Sequence, residues 1–362
     1  MNSPSDVELS RADTERAVEE LLRAAGLTAE HAELVRRSLM FAETRGTNSH
    51  GLARLRPYLE RIARGGVNTR PTLTESVSGA VHVIDADGSA GAVAGMTAVR
   101  AAAQAADSHG IGIACARNTN HVGALAFYSA ALSEAGLVSI VFANADPIMV
   151  PPGGSEAVLG SNPIAIGVPG GGGASQTPLL DMATTAAAHG KIVELSRERE
   201  SIPPGWAVDE RGAPTTDAGR ALAGALLPAA GPKGFGLAFM IDLLSAGLAG
   251  GSLGGGIVPV ADRFDEPQGC CLVVIAIDPA HAAGLDSFTR ADRALGDTVR
   301  HSRPVDGRAP MVPGEPEAER ARRATGAEAL TVTDALHQDL LDLLRGWSIS
   351  PPALVQKVDQ DV

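Results

Sequence analysis

The stretch from Ala80 to Asn144 constrains this chain more than any other. Ala80-Val81-His82-Val83-Ile84 alternates as a half-buried strand does, and Asp85-Ala86-Asp87-Gly88 turns it. Residues 91–107 are alanine-rich and predict a helix. Ile111–Ala116 reads as a strand, 122–135 as a helix and Leu137–Asn144 as an apolar strand. Short apolar strands alternating with helices bury their faces only in layers, so the expected class is α/β. Gly110-Ile111-Gly112 opens like a dinucleotide fingerprint, but Cys115 stands where the third glycine belongs. The local order is also helix then strand, the reverse of what that motif needs. No complete GxGxxG occurs, which argues against an ordinary Rossmann domain.

The texture before this stretch differs. Residues 13–25 and 28–44 read as two amphipathic helices separated by Gly26 and a Thr28 cap, with Pro71 marking the exit. The composition shift near residue 75 sets the expected boundary. A helical unit covers 1–75, joined by the C-terminal helices of 325–362, and an α/β domain covers 76–324. Within the latter, Gly170–Gly173 reads as a surface loop. Leu179–Thr184 ends a strand and starts a helix that runs to about Arg199, and 201–220 is a structured loop. Then come an apolar helix over 237–249, a buried strand over Cys271–Ile277 and a helix from about 281 to 300. A charged helix follows Pro313-Gly314-Glu315, the last helix spans about 333–346, and the tail from Ser348 is expected to be loosely ordered.

Composition excludes some functions. A net charge of -12 and a pI near 5.2 leave no basic face for a general nucleic-acid partner. Cys115, Cys270 and Cys271 form no CxxC and no set of pairs, so no metal site is expected and the thiols suit a reducing compartment. No signal-peptide core is visible, and no run approaches the ~18 apolar residues of a membrane span. The expectation is a cytoplasmic protein with no membrane partner.

Four places can carry chemistry. Arg45 to Arg54 holds Ser49, His50 and Arg54 around Gly46 and Gly51, and a helix is expected from about His50 to Arg64, capped by Asn48 or Ser49. A helix start with an arginine suits a carboxylate, and a histidine beside it moves a proton near neutral pH. Spacing alone favours the plainer reading, with Arg54 as a surface charge and His50 as an exposed first-turn residue. In Asn118-Thr119-Asn120-His121-Val122-Gly123, Asn120 can cap a helix whose free amides face an anion; a capped helix with an exposed histidine fits equally. Lys233 between glycines at a helix start suits a phosphate or is simply solvated. Asp181 ends a strand, as a site residue or an N-cap.

The ordered set of motifs resembles the malate/L-lactate dehydrogenase family, which binds nicotinamide cofactors without a Rossmann fold. The match covers about residues 10 to 330. It rests on Arg45-Gly46, Ser49-His50-Gly51, Arg54-Leu55, Asn120-His121-Val122-Gly123, Gly160-Ser161-Asn162-Pro163, Asp181-Met182-Ala183-Thr184, Gly190-Lys191, Lys233-Gly234, Ala276-Ile277-Asp278-Pro279 and Pro313-Gly314-Glu315. The resemblance implies a central mixed sheet, NAD or NADP as cofactor, a small anionic carboxylic acid as substrate and a homodimer. It casts His50, hydrogen-bonded to Ser49, as the proton donor, with Arg54 as carboxylate anchor and Arg45 as helper. His121 is either a proton acceptor or a cofactor contact. Ser161 lies near the substrate. Val122, Gly123, Ala124, Leu125, Asp181, Met182, Ala183, Lys233, Pro313, Gly314 and Glu315 line the cofactor. Gly269-Cys270-Cys271-Leu272 departs from the family's usual Gly-His-Phe-Phe run, and Lys191 tilts the reading from imino acids toward oxo or hydroxy acids. The implied activity is hydride transfer to or from a 2-oxo or 2-hydroxy acid. A cyclic imino-acid reductase and a catalytically silent binding relative are the alternatives.

Overall fold

Residues 6–170, 177–305 and 307–355 are described by the structure, a computed structural model. The first part of the chain carries β1 (Asp6–Ser10), α1 (Arg11–Ala24), α2 (Ala29–Thr44) and α3 (Leu55–Arg64). The alternating stretch follows as β2 (Thr74–Ser78), β3 (Val81–Asp85), α4 (Gly91–His109), β4 (Ile111–Thr119), α5 (Ala126–Glu134) and β5 (Val138–Ala143). Next come β6 (Ile164–Gly167), β7 (Leu179–Met182), α6 (His189–Glu198), β8 (Ala207–Val208), β9 (Pro214–Thr215), α7 (Ala218–Ala223), β10 (Ala225–Leu226) and α8 (Pro232–Ala249). The chain closes with β11 (Cys270–Ile277), α9 (Leu285–Arg300), α10 (Glu315–Gly326), β12 (Ala329–Thr333) and α11 (Asp334–Gly346).

The main sheet has the order β2-β3-β4-β11-β5-β6-β7, and of its pairs only β3 with β4 is parallel. The expected α/β class and mixed sheet are therefore present. The late strand β11 lies at the centre because its sequence, CCLVVIAI, offers apolar side chains to both faces. Leu272, Val274 and Ala276 pack with α4 and α5, while Cys271 and Val273 face Ile241 and Ala249 of α8. The two vicinal thiols are thus strand interior, and burial pushes Cys271 up to about 12.

A separate core joins α1, α2 and α3 to β12 and α11, through residues such as Leu21, Leu39, Leu59, Val332 and Leu344. β1 pairs antiparallel with β12. The tail expected to be loose is tied down as far as Val355: Ser10 N donates to Ala353 O at 2.8 Å and Val355 N to Glu8 O at 2.9 Å. The helix expected to start at Thr184 starts only at His189, because Thr184 N and its hydroxyl bond to Ser161 O. The 201–220 loop folds into β8, β9 and the start of α7, and a small sheet β10-β8-β9. Gly171 to Gly173 lie outside the described residues. One expectation fails by composition: α8 is long and apolar enough to cross a membrane. Its inner face nevertheless belongs to the core, where Asp242 accepts from the Asn144 amide at 2.9 Å.

Candidate active site

The helix expected from His50 begins only at Leu55. Ahead of it lie two single 3-10 turns, Asn48–His50 and Leu52–Arg54, and neither Asn48 nor Ser49 caps anything. The turns are held by side chains from elsewhere. Leu52 N donates to Glu43 Oε2 at 2.8 Å from beneath. Gly51 rests directly on that carboxyl, where a Cβ would overlap Oε2. Arg54 Nε donates to Ser49 O at 2.7 Å, which leaves its terminal nitrogens for a ligand. Ser49 Oγ and His50 Nδ1 lie 2.9 Å apart. Gly190, at the start of α6, lacks the Cβ that would strike Ser49.

His121 comes from the end of β4. Its backbone N donates to Gln268 Oε1 at 2.9 Å. Its ring stacks on His50, with centroids 5.5 Å apart and planes at 26°. Tyr58 OH lies 2.6 Å from His121 Nδ1, and Gly123 N donates to the same nitrogen at 3.3 Å. Two donors on Nδ1 place the neutral ring's proton on Nε2. Burial, reinforced by Arg54, lowers His50 to about 3. Burial, then Arg54 and His50, hold His121 well below 6.5. Both imidazoles are therefore neutral at pH 7, beside a permanent cation.

Three further residues share this charge environment, and the sequence reading passed over them. Tyr58 follows Arg54 by four residues, one helical turn on, a spacing that was available to find it. Asp146 is raised by burial and lowered by Arg54 and Arg61, at the end of β5, where the strand-end rule points. His189, first residue of α6, is lowered by burial and by Arg54; nothing local in the sequence marks it.

The second expected anion site is absent. Asn120 does not cap α5; its amide donates to Gly88 O at 2.8 Å and Ser89 O at 3.1 Å. α5 starts at Ala126, whose N donates to Asp181 Oδ2 at 2.8 Å. Asp181 thus caps a helix 55 residues earlier, not its own, and the amides expected to be free are occupied. The protein crowded around it raises its carboxyl, against the pull of the Ala126 and Leu125 amides, although the residue stays open to solvent. Val122, Ala124 and Leu125 are buried core side chains and Gly123 is in the left-handed region, so none of these four offers an exposed side chain to a ligand.

Arg45 stands apart from Arg54. It stacks 3.6 Å over the Phe41 ring, and the charges that act on it are Glu134 of α5 and Glu317 of α10. The Ser161 carbonyl is taken by Thr184, which ties it to the end of β7. Lys191 is exposed and paired with Glu194 at 2.8 Å. Pro313 O accepts from Leu179 N at 3.0 Å, and Gly314, at φ +87°, approaches the Leu179 backbone so closely that a Cβ would sit 2.7 Å from its oxygen. The Pro313-Gly314-Glu315 turn therefore lies against the start of β7, the strand that leads to Asp181, Met182 and Ala183. Glu315 fixes it by accepting from Val312 N at 2.8 Å and Arg300 Nε at 2.7 Å. Lys233 is exposed in the first turn of α8, whose Gly234 touches Thr184 O. The apolar Met182 side chain at the end of β7 is left 37% exposed, a surface on which a planar ring can lie. Among the described residues, no group of three or more His, Cys, Asp or Glu is arranged for a metal.

Known proteins match this arrangement along the chain. Residues 9–341 match the profile of malate/L-lactate dehydrogenase. L-sulfolactate dehydrogenase of Methanocaldococcus jannaschii is 36% identical over 314 residues, 85% of this chain and 89% of that one. Its solved structure superposes with a TM-score of 0.87, covering 95% of this chain and 98% of that chain. Ureidoglycolate dehydrogenase (NAD(+)) of Escherichia coli is 34% identical over 341 residues, 92% of this chain and 95% of that protein. Delta1-piperideine-2-carboxylate reductase from Pseudomonas syringae has a TM-score of 0.82 at 28% identity, covering 93% and 99%. With the family profile spanning nearly the whole chain, this protein belongs to the malate/L-lactate dehydrogenase family of oxidoreductases.

Proposed function

We propose that the protein moves a hydride between a nicotinamide cofactor, NAD or NADP, and the 2-carbon of a small 2-oxo or 2-hydroxy carboxylic acid. The observation that carries this reading is the stacked His50–His121 pair beside Arg54. The terminal nitrogens of Arg54 hold the carboxylate. Either neutral imidazole accepts the hydroxyl proton as the acid is oxidised. In reduction, the carboxylate offsets the charge of Arg54, which lifts both imidazoles toward their ordinary range, and an imidazolium protonates the oxygen. Tyr58 fixes the tautomer and orientation of His121. The bound cofactor supplies or takes the hydride at its nicotinamide ring. Met182, Ala183, Lys233 and the Pro313–Glu315 turn would hold it.

A second reading, reduction of cyclic imino acids, is favoured by the likeness to the piperideine-2-carboxylate reductase. One assay separates these readings: NADH or NADPH oxidation is followed with a panel of 2-oxo acids and cyclic imino acids. Turnover only with the imino acids transfers the function to the second reading. No turnover and no cofactor binding by calorimetry leaves a silent relative. With the responsive acid, Arg54→Ala should raise KM at least tenfold, the loss of about 1.4 kcal/mol or more of binding. His50→Ala should abolish turnover with cofactor affinity kept; a near-parental rate would pass the proton to His121.

The partner proposed here is a second copy of the chain. Leu237, Phe239, Met240, Leu243, Leu244 and Leu248 form an outer face of α8, each between 39% and 52% exposed. An apolar face of that extent beside Lys233 supports a subunit contact near the cofactor site.

A further inference from the structure

Glu43 lies near the C-terminal end of α2 and is 5% exposed. Its Oε2 accepts from Leu52 N at 2.8 Å, and its Oε1 has no hydrogen-bond partner. Burial raises the carboxyl to about 7. For stability alone, a buried carboxyl with one open oxygen is a poor choice, because an apolar side chain of similar size avoids the desolvation cost. The carboxyl touches the one segment that carries Ser49, His50 and Arg54. Gly46 N donates to Glu43 O at 3.0 Å and Thr47 N to Ala42 O at 2.9 Å, so the same stretch of α2 fixes the start of that segment through its backbone. The side chain then fixes its far end at Leu52, and Gly51 lies flat against it. Two residues on, Arg54 Nε returns to Ser49 O, which closes a ring of contacts from Glu43 through Leu52 and Arg54 to Ser49.

We infer that Glu43 is a positioning residue, the buried clamp that sets His50 and Arg54 relative to each other, an assignment that rests on the hydride-transfer reading above. It acts through Leu52 N and touches neither substrate nor cofactor. The clamp explains why glycine stands at 51: a side chain there would push the carboxyl off Leu52 N. Displacement of about 1 Å at such a pair costs up to about a hundredfold in rate.

The test uses the full chain with Glu43→Asp, which is one methylene too short to reach Leu52 N, and Glu43→Gln, which keeps an acceptor oxygen at full length. Three quantities are read: kcat and KM with the responsive acid, cofactor Kd by calorimetry, and amide exchange across residues 48–55. Glu43→Asp should lower kcat about tenfold or more and speed exchange, with cofactor Kd within about twofold of the parent. Glu43→Gln should restore both rate and protection. Parental kcat in Glu43→Asp despite faster exchange overturns the inference. So does a loss shared equally by cofactor affinity and melting temperature, or a Glu43→Gln variant as damaged as Glu43→Asp. If the parent turns over no acid, the hydride-transfer reading fails, and unchanged exchange across 48–55 in Glu43→Asp still separately overturns the clamp.

Discussion

At the scale of single residues, the low proton affinity of the two imidazoles, His50 and His121, is set by burial first and by one arginine, Arg54, second. The sign has a consequence for rate. A group lowered from 6.5 to about 3 stays neutral through the pH range where an exposed histidine titrates. Oxidation of the hydroxy acid needs the neutral base, so kcat/KM in that direction should show no acid limb between about pH 5 and 7. A pH profile of kcat/KM checks this; an inflection near 6.5 would mean a solvated imidazole. In Arg54→Ala the second cause is gone, and the limb should move up toward neutrality. The motif residues Ser49, His50 and Arg54 were legible in the sequence because they are close along the chain. Their geometry was not, because Glu43, Gly190 and Tyr58 set it from α2, α6 and α3. His189 was hidden for the same reason, since only folding brings it into the field of Arg54, whereas Asp146 follows a strand end that was readable.

Elements show the same division between local and distant causes. Thr28 caps the helix that follows it, accepting from His31 N at 3.1 Å, and was readable from adjacent residues; Thr333 caps α11 in the same way, accepting from Leu336 N at 3.3 Å. Asn120 reads equally well as a cap, yet its amide is drawn off to Gly88 and Ser89, and Asp181 takes over α5 from across the sheet. A cap supplied 55 residues away leaves no local trace. It also makes a direct prediction. Asp181→Ala should cost about 1 kcal/mol in urea unfolding, a typical loss for an N-cap, while Asp181→Asn, which keeps an acceptor, should cost less. Equal stability of the alanine variant would show that α5 needs no such cap. Strand order was likewise out of reach. The run Cys271–Ile277 reads as a buried strand, but its place between β4 and β5 depends on pairing with residues more than a hundred positions earlier.

For the whole molecule, the question is what covers the outer side of α8. Its inner side is settled. Ala238, Ile241, Ser245, Ala246 and Ala249 are buried, and Asp242 is held by Asn144 and by Gly254 N at 3.1 Å. That arrangement fixes the rotation of the helix, so the apolar residues opposite must face outward from this chain. A stable contact between protein chains buries roughly 1,200–2,000 Å² in total, and such contacts centre on apolar side chains with charge at the rim. Six large apolar residues over three turns, with Lys233 at one end, supply such a centre. If two copies meet there, a charge at the middle of the face must be desolvated on association. Leu243→Asp should then shift sedimentation from a dimer toward the 36.9 kDa monomer, with unfolding of the monomer unchanged because Leu243 is 47% exposed in the single chain. Leu222→Asp, at an exposed leucine on α7, serves as the control and should leave the mass as it was. A parent protein that sediments at 36.9 kDa at micromolar concentration would remove the second copy as the partner of α8.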